Sequence, residues 1–346
     1  MRTVGTPVTA ARFHMLRTLS SLLLSLAFAL PLAAADGKAH LDIKEWPIPW
    51  PDSQPHDPHA VSANAVWFVA EKGNYLASLN PQTGRFSKIE LMDEPAPTGL
   101  IVAANGMLWY TANARGYLGR YDLKTRTIYR APLTDAVSDP TALTFEAGER
   151  NIWFTASKDN IVGRYRVVNG IADLQRLPTP NAAPGAITVA PNAGPPWVAL
   201  AGTNSLASVD PRTFALTVKA LPRPAARADR LAFTSDGKLW YIDSAAGVLG
   251  MATPGTQDAA REWPLPDGKD SKPAALAVDA KGRLWIAESG PKPAKLVGFD
   301  PKTTKFFGES ALPTPGGAAV DINFDAATGG LWFATTGNTI GFAKIE

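Results

Sequence analysis

The stretch Gly106-Met-Leu-Trp109-Tyr-Thr111 returns as Gly237-Lys-Leu-Trp240-Tyr-Ile242 and again as Gly282-Arg-Leu-Trp285-Ile-Ala287. Around it, Trp67, Trp109, Trp153, Trp197, Trp240, Trp285 and Trp332 are spaced 42, 44, 44, 43, 45 and 47 residues apart. A period of about 40–45 residues, with short strands between turns, marks the four-stranded blade of a β-propeller. One repeat reads strand by strand. Leu100 to Ala103 forms the first strand, and Asn105-Gly106 supplies a hairpin turn whose positive backbone angles Asn and Gly tolerate. Leu108 to Thr111, Tyr117 to Tyr121 and Thr127 to Arg130 follow as the second, third and fourth strands. Sister turns at Asn80-Pro-Gln-Thr-Gly84, Asp210-Pro-Arg-Thr213 and Asp300-Pro-Lys-Thr303 carry residues with ordinary turn duties. Proline-rich exits such as Leu177-Pro-Thr-Pro180 and Leu312-Pro-Thr-Pro315 suit a chain leaving a sheet edge for the next blade.

The two ends of the repeat array complement each other. Ile340 to Glu346 completes only a third strand, whereas Leu41 to Pro49 matches fourth-strand segments such as Arg261-Glu-Trp-Pro-Leu-Pro266. The fold expected is an all-β, seven-bladed propeller over residues 40–346, its last blade closed by the N-terminal strand so that no radial edge stays free. Six blades plus an irregular cap is the competing arrangement.

The chain has 346 residues, 34 Lys+Arg, 31 Asp+Glu and no cysteine. Residues 1–35 hold Arg2, Arg12 and Arg17 and no acid, which leaves the remainder with 31 basic against 31 acidic residues. A neutral body carries no nucleic-acid footprint. The leader reads as a signal peptide: arginines, an apolar run from Leu19 to Leu32, then Ala33-Ala34-Ala35 as a cleavage site, with Met1 or Met15 as the start. The run falls short of the roughly 20 apolar residues that span a bilayer, and no later segment reaches that length. A periplasmic or secreted monomer is expected. Without cysteine it has no disulfide, thiol nucleophile or thiolate metal site.

A propeller brings the start of each blade's first strand and the end of its second strand to one mouth of the central channel. Counting from the tryptophans, the first position holds His56, Thr98, Thr141, Gly185, Asp229 and Ala274, with the seventh near Asp321. The second holds Glu71, Asn113, Ser157, Leu200, Asp243, Glu288 and Thr335 or Thr336. The seven repeat tryptophans read as framework, and Trp50, in a proline-rich loop, as a candidate exposed contact. No Gly-x-Ser-x-Gly elbow, phosphate loop or His-Glu-x-x-His occurs.

Segments such as Glu45-Trp-Pro-Ile-Pro49, Pro55-His-Asp-Pro58 and Trp153-Phe-Thr-Ala156 make the chain resemble the virginiamycin B lyase (streptogramin lyase) family. The resemblance implies a seven-bladed propeller that opens a lactone by Mg²⁺-assisted elimination. It also implies one blade with a Glu-Pro-His-Gly segment and a second Glu 14 residues after the His, the two Glu holding the metal and the His removing a proton. Here that segment is Lys272-Pro273-Ala274-Ala275, and only Glu288 matches. Lys272 stands in place of a metal ligand and Ala274 in place of the base. Glu288 is the remaining metal candidate for Mg²⁺, His56 a candidate relocated base, and Glu71, Asp229, Arg230 and Asp243 candidate ligand-binding residues. Three functions are open: a propeller that binds a small molecule or an envelope protein with the catalytic pair lost, a carbon–oxygen lyase with a rearranged site, and a protein-interaction scaffold.

Overall fold

The computed structural model describes residues 41–345; the signal-peptide expectation lies outside them. Seven four-stranded antiparallel sheets make up the described chain. The repeat read from Leu100 onward appears as Leu100–Val102, Met107–Ala112, Tyr117–Asp122 and Thr127–Pro132. Six sheets each use four consecutive strands, and the innermost strand of every sheet neighbours that of the next around a closed ring. The seventh sheet takes Ala319–Asp325, Gly330–Thr335 and Thr339–Lys344 from the C-terminal end and Asp42–Pro47 from the N-terminal end. That outer strand runs antiparallel to Thr339–Lys344, with Asp42 opposite Lys344 and Pro47 opposite Thr339. The ring closes as the chain ends require, with seven blades rather than six. The one helix among the described residues is a single 3₁₀ turn, Gly268–Ser271. No helix among them is long and apolar enough to cross a membrane.

The core sits between adjacent blades. Trp109, Trp153, Trp197, Trp240, Trp285 and Trp332 are buried and Trp67 is half-buried, each in a cluster joining two neighbouring sheets. The residue after the tryptophan covers the third strand, which stays small beneath it. A Cβ on Gly119, Gly163, Gly250 or Gly341 would fall within 2.5 Å of the ring of Tyr110, Phe154, Tyr241 or Phe333. Gly163→Val is expected to cost about 1–3 kcal/mol or more, as overpacking against an immovable ring does, measured by urea unfolding. Trp50 is half-buried and packs edge-on against Tyr75 and Phe86 at 5.3 and 6.3 Å, so its apolar surroundings recruit it to the framework rather than leave it an exposed contact. The turn residues do as expected: Asp122 accepts from the amides of Lys124 and Thr125, and Asp210 from those of Arg212 and Thr213.

Candidate functional site

At one mouth of the ring the inner strands enclose a cavity of about 630 Å³. His56, Thr98, Thr141, Gly185, Asp229 and Asp321 all reach it. Each stands 11 or 12 residues before its tryptophan, so one register brings six of the seven blades to the cavity, blade four with a glycine; the blade-six residue at this spacing, Ala274, lines the adjoining pocket instead. Register shifts at the start of the first strand, between His56 and His59, Pro140 and Ala142, and Ala319 and Asp321, locally re-aim these residues.

The second crown position corrects the sequence reading in blades four, five and six. Glu71, Asn113 and Ser157 lie four residues after their tryptophans and meet their partners. Glu71 stands 3.3 Å from His56, Thr98 donates to Asn113 at 3.1 Å, and the Ser157 amide donates to Thr141 at 3.2 Å. Leu200, Asp243 and Glu288 lie three residues after theirs, and all three are buried. The residues one step further, Ala201, Ser244 and Ser289, line the mouth instead. A strand turns successive side chains to opposite faces, so an offset of one sends a carboxylate into the blade. Asp243 is 0 % exposed. Its carboxylate accepts from Arg223 at 2.6 Å and from the amides of Arg227 and Ala246 at 2.9 and 3.0 Å. It ties the loop into blade five and presents nothing to the channel.

Glu288 is 1 % exposed and faces outward along its own sheet. Among the described residues neither of its oxygens has a hydrogen bond of good geometry; the Ser271 hydroxyl is near, and the Lys295 ammonium stands 3.3 Å away. Burial pushes this carboxyl above its ordinary range, against the pull of Ser271 and Lys295. Lys295 also pairs with Asp267 at 2.6 Å and Glu309 at 3.0 Å. The residues present do not fit the implied magnesium site: the remaining carboxylate already has a cation beside it, and position 272 adds an ammonium. Mg²⁺ takes hard oxygen ligands in near-ideal octahedral geometry. Among the described residues no three His, Cys, Asp or Glu side chains are grouped to hold a metal.

Blades seven and one build a different constellation. His56 Nδ1 lies 2.8 Å from Asp321 Oδ2, and its Nε2 faces Glu71. Burial alone would lower the pKa of this imidazole. The hydrogen bond and charge of Asp321, with Glu71 and Asp57 behind them, outweigh burial and raise it. Beside it Asp57 accepts from the Leu100 amide at 2.9 Å and from Asn323 at 2.8 Å. Burial would raise the Asp57 carboxyl, but His59, Leu100 and Asn323 together hold it below its ordinary value. Asp321 therefore joins the site although its position was only bracketed in the sequence; its place 11 residues before Trp332 is the signal that identifies it.

Because the folded pKa of His56 lies above its unfolded value, its charge stabilises the fold fully below about pH 6.5. That contribution fades as pH rises through the folded pKa. Asp321→Asn is expected to lower the His56 pKa, read from the imidazole proton shifts in an NMR titration; an unchanged value would mean that Asp321 does not hold the ring.

Blade five supplies the other half of the mouth. Asp229 accepts from the Ser244 amide and hydroxyl at 2.8 and 2.5 Å and from Arg227 at 3.0 Å. Arg230 reaches past the alanines of blade six to blade seven, where its guanidinium donates to the Val320 carbonyl and to Asp321 Oδ1, both at 3.4 Å. Position 274 carries no side chain that would obstruct that reach. A line of charges, Arg230–Asp321–His56–Glu71, thus links blades five, seven and one of the mouth, passing over blade six.

The comparisons agree with this architecture. The model of the virginiamycin B lyase family matches residues 41–343. A virginiamycin B lyase from Nocardia farcinica is 28% identical over 231 residues, spanning 57% of this chain and 79% of its own length. A solved streptogramin B lyase superposes with a TM-score of 0.79 at 24% identity, covering 88% of this chain and 98% of the other. A catalytically inactive histidine-to-alanine variant of the Staphylococcus aureus virginiamycin B lyase, solved with quinupristin, does so at 0.79 and 22%, covering 88% and 100%. With the match running through all seven blades, the chain belongs to the virginiamycin B lyase family.

Proposed function

We propose that this family member binds a small molecule at the channel mouth and does not carry out the magnesium-assisted lactone opening. The observation that carries the reading is Ala274, which stands where the family resemblance implies the proton-abstracting base. Loss of a general base alone typically costs about 10²–10⁴ in rate, and Lys272 and Lys295 oppose a metal at Glu288. Binding does not need that machinery. The mouth retains an enclosed volume within the range of small-molecule sites, and the solved Staphylococcus aureus variant is both inactive and accompanied by quinupristin. The leader and the absence of cysteine support export to the periplasm or beyond.

The test is direct. Incubated with a streptogramin B antibiotic and Mg²⁺, with and without chelator, the full chain is expected to leave the antibiotic cyclic by mass spectrometry, beside an active relative as control. Chelator-sensitive linear product would overturn the reading. A ligand that occupies the mouth is expected to raise the melting temperature by mass action without being consumed. Co-purification with an envelope protein, and no shift with any small molecule, would favour the scaffold instead.

The Asp321–His56 contact supports a second reading, in which proton transfer has moved from blade six to blade one. Asp321 orients Nδ1 as a carboxylate orients a catalytic imidazole. On that reading the full chain turns substrate over and His56→Ala abolishes it.

A further inference from the structure

A second cavity, of about 460 Å³, opens beside Ala274 and shares Asp229 and Arg230 with the central one. Its walls include Arg230, Lys269 and Lys272. Its one carboxylate, Asp229, is already committed: Arg227 takes one oxygen and Ser244 the other. Among the described residues neither Lys269 nor Lys272 has a carboxylate within ion-pair distance, although Lys295 close by holds three. Arg230 is 42 % exposed, and its three contacts, to the Asp229 and Val320 carbonyls and to Asp321, are long at 3.1 to 3.4 Å, so its guanidinium is only loosely held where it lines the pocket. Lys272 is not a loosely draped surface lysine. Its backbone is left-handed, with φ of 44°, and its carbonyl is gripped by the amide and hydroxyl of Ser289 at 3.2 and 2.7 Å. The backbone of Lys272 is thus fixed at the wall of the pocket, which the residue lines.

We propose that this pocket is an anion site: Arg230, Lys269 and Lys272 take the carboxylate or phosphate group of a small molecule whose body extends into the central channel. The inference rests on the small-molecule reading above and names the ligand class. Where the resemblance implies a carboxylate at position 272, this chain carries an ammonium. A guanidinium presents a planar fork matched to two oxyanion oxygens, and the ammonium groups add point charges. Ala274 leaves the space between them open. The volume suits a small organic anion rather than a macromolecular surface.

Citrate and inorganic phosphate, titrated into the full chain by calorimetry at low ionic strength, are the probes, with putrescine as the cationic control. Citrate or phosphate is expected to bind and putrescine not to. The tighter of the two anions identifies the oxyanion, and binding should weaken as ionic strength rises through about 0.1 M. Lys272→Glu and Arg230→Gln are each expected to weaken the anion about tenfold or more. Lys269→Glu, on an exposed backbone turn, does the same and guards against misfolding of the Lys272 variant. Failure of both anions to bind, binding that ignores all three substitutions, or tighter binding of putrescine would overturn the proposal. Its failure is separable from that of the broader reading. Failure of citrate and phosphate to bind, while an uncharged ligand still raises the melting temperature, would sink the anion site alone. Magnesium-dependent turnover of a streptogramin would sink the non-catalytic reading whatever citrate does.

Discussion

Asp243→Ala is expected to cost the protein about 3 kcal/mol of stability while leaving ligand affinity in the folded protein unchanged. Breaking a buried ion pair by removing one partner costs about 3–5 kcal/mol, because it strands the other charge. Arg223 is about one-third exposed and keeps Glu262 at 2.7 Å, which places the loss at the lower end. The amides of Arg227 and Ala246 lose their acceptor as well, but neither residue is fully buried and water can replace it, so this adds little. Urea unfolding of wild type and variant measures this as a lower midpoint at unchanged slope. The outcome decides between two roles. A large stability loss with intact binding makes Asp243 a tie within blade five, whereas intact stability with lost binding would return it to the channel mouth.

The second large effect is expected at Trp285, which is 0 % exposed. Its ring meets Phe307 edge-on at 5.3 Å, and its Nε1 donates to Asp279 Oδ2 at 3.0 Å. Truncating a buried tryptophan to alanine costs about 3–5 kcal/mol through lost burial and the cavity left behind. Trp285→Phe should recover part of this, since it refills space while leaving Asp279 without one donor. Asp279 keeps Arg283 at 2.6 Å and the amides of Lys281 and Arg283, so the carboxylate is not stranded. Circular dichroism at increasing urea measures both variants. A loss below about 1 kcal/mol for Trp285→Ala would mean that the tryptophan repeat marks something other than inter-blade packing.

Those two residues also show where reading the chain succeeds. Trp285 belongs to a pattern repeated every 42 to 47 residues; each copy solves the same local packing problem, so the pattern survives translation into one dimension. Asp243 looks like a mouth residue because it is acidic and lies close to a tryptophan in sequence. Its neighbour Ser244 takes the mouth, and the choice between them depends on a single residue of strand register. Counting a uniform four residues from each tryptophan would have selected Ser244, Ser289 and Ala201.

The number of blades, their four-strand order and the closure by residues near Asp42 were set by the sequence alone, since periodic spacing and complementary ends are local properties of the chain. The contacts that give the mouth its chemistry were not. His56 meets Asp321 across 265 positions and Arg230 meets it across 91. Such meetings arise only when the ring closes and brings inner strands side by side. Charge type is written in each residue, but which charges neutralise one another is a matter of distances of a few ångströms. Among the described residues those distances leave Lys269 and Lys272 without carboxylate partners while surrounding Lys295 with them, because strand pairing and the direction of each side chain are decided by the whole ring.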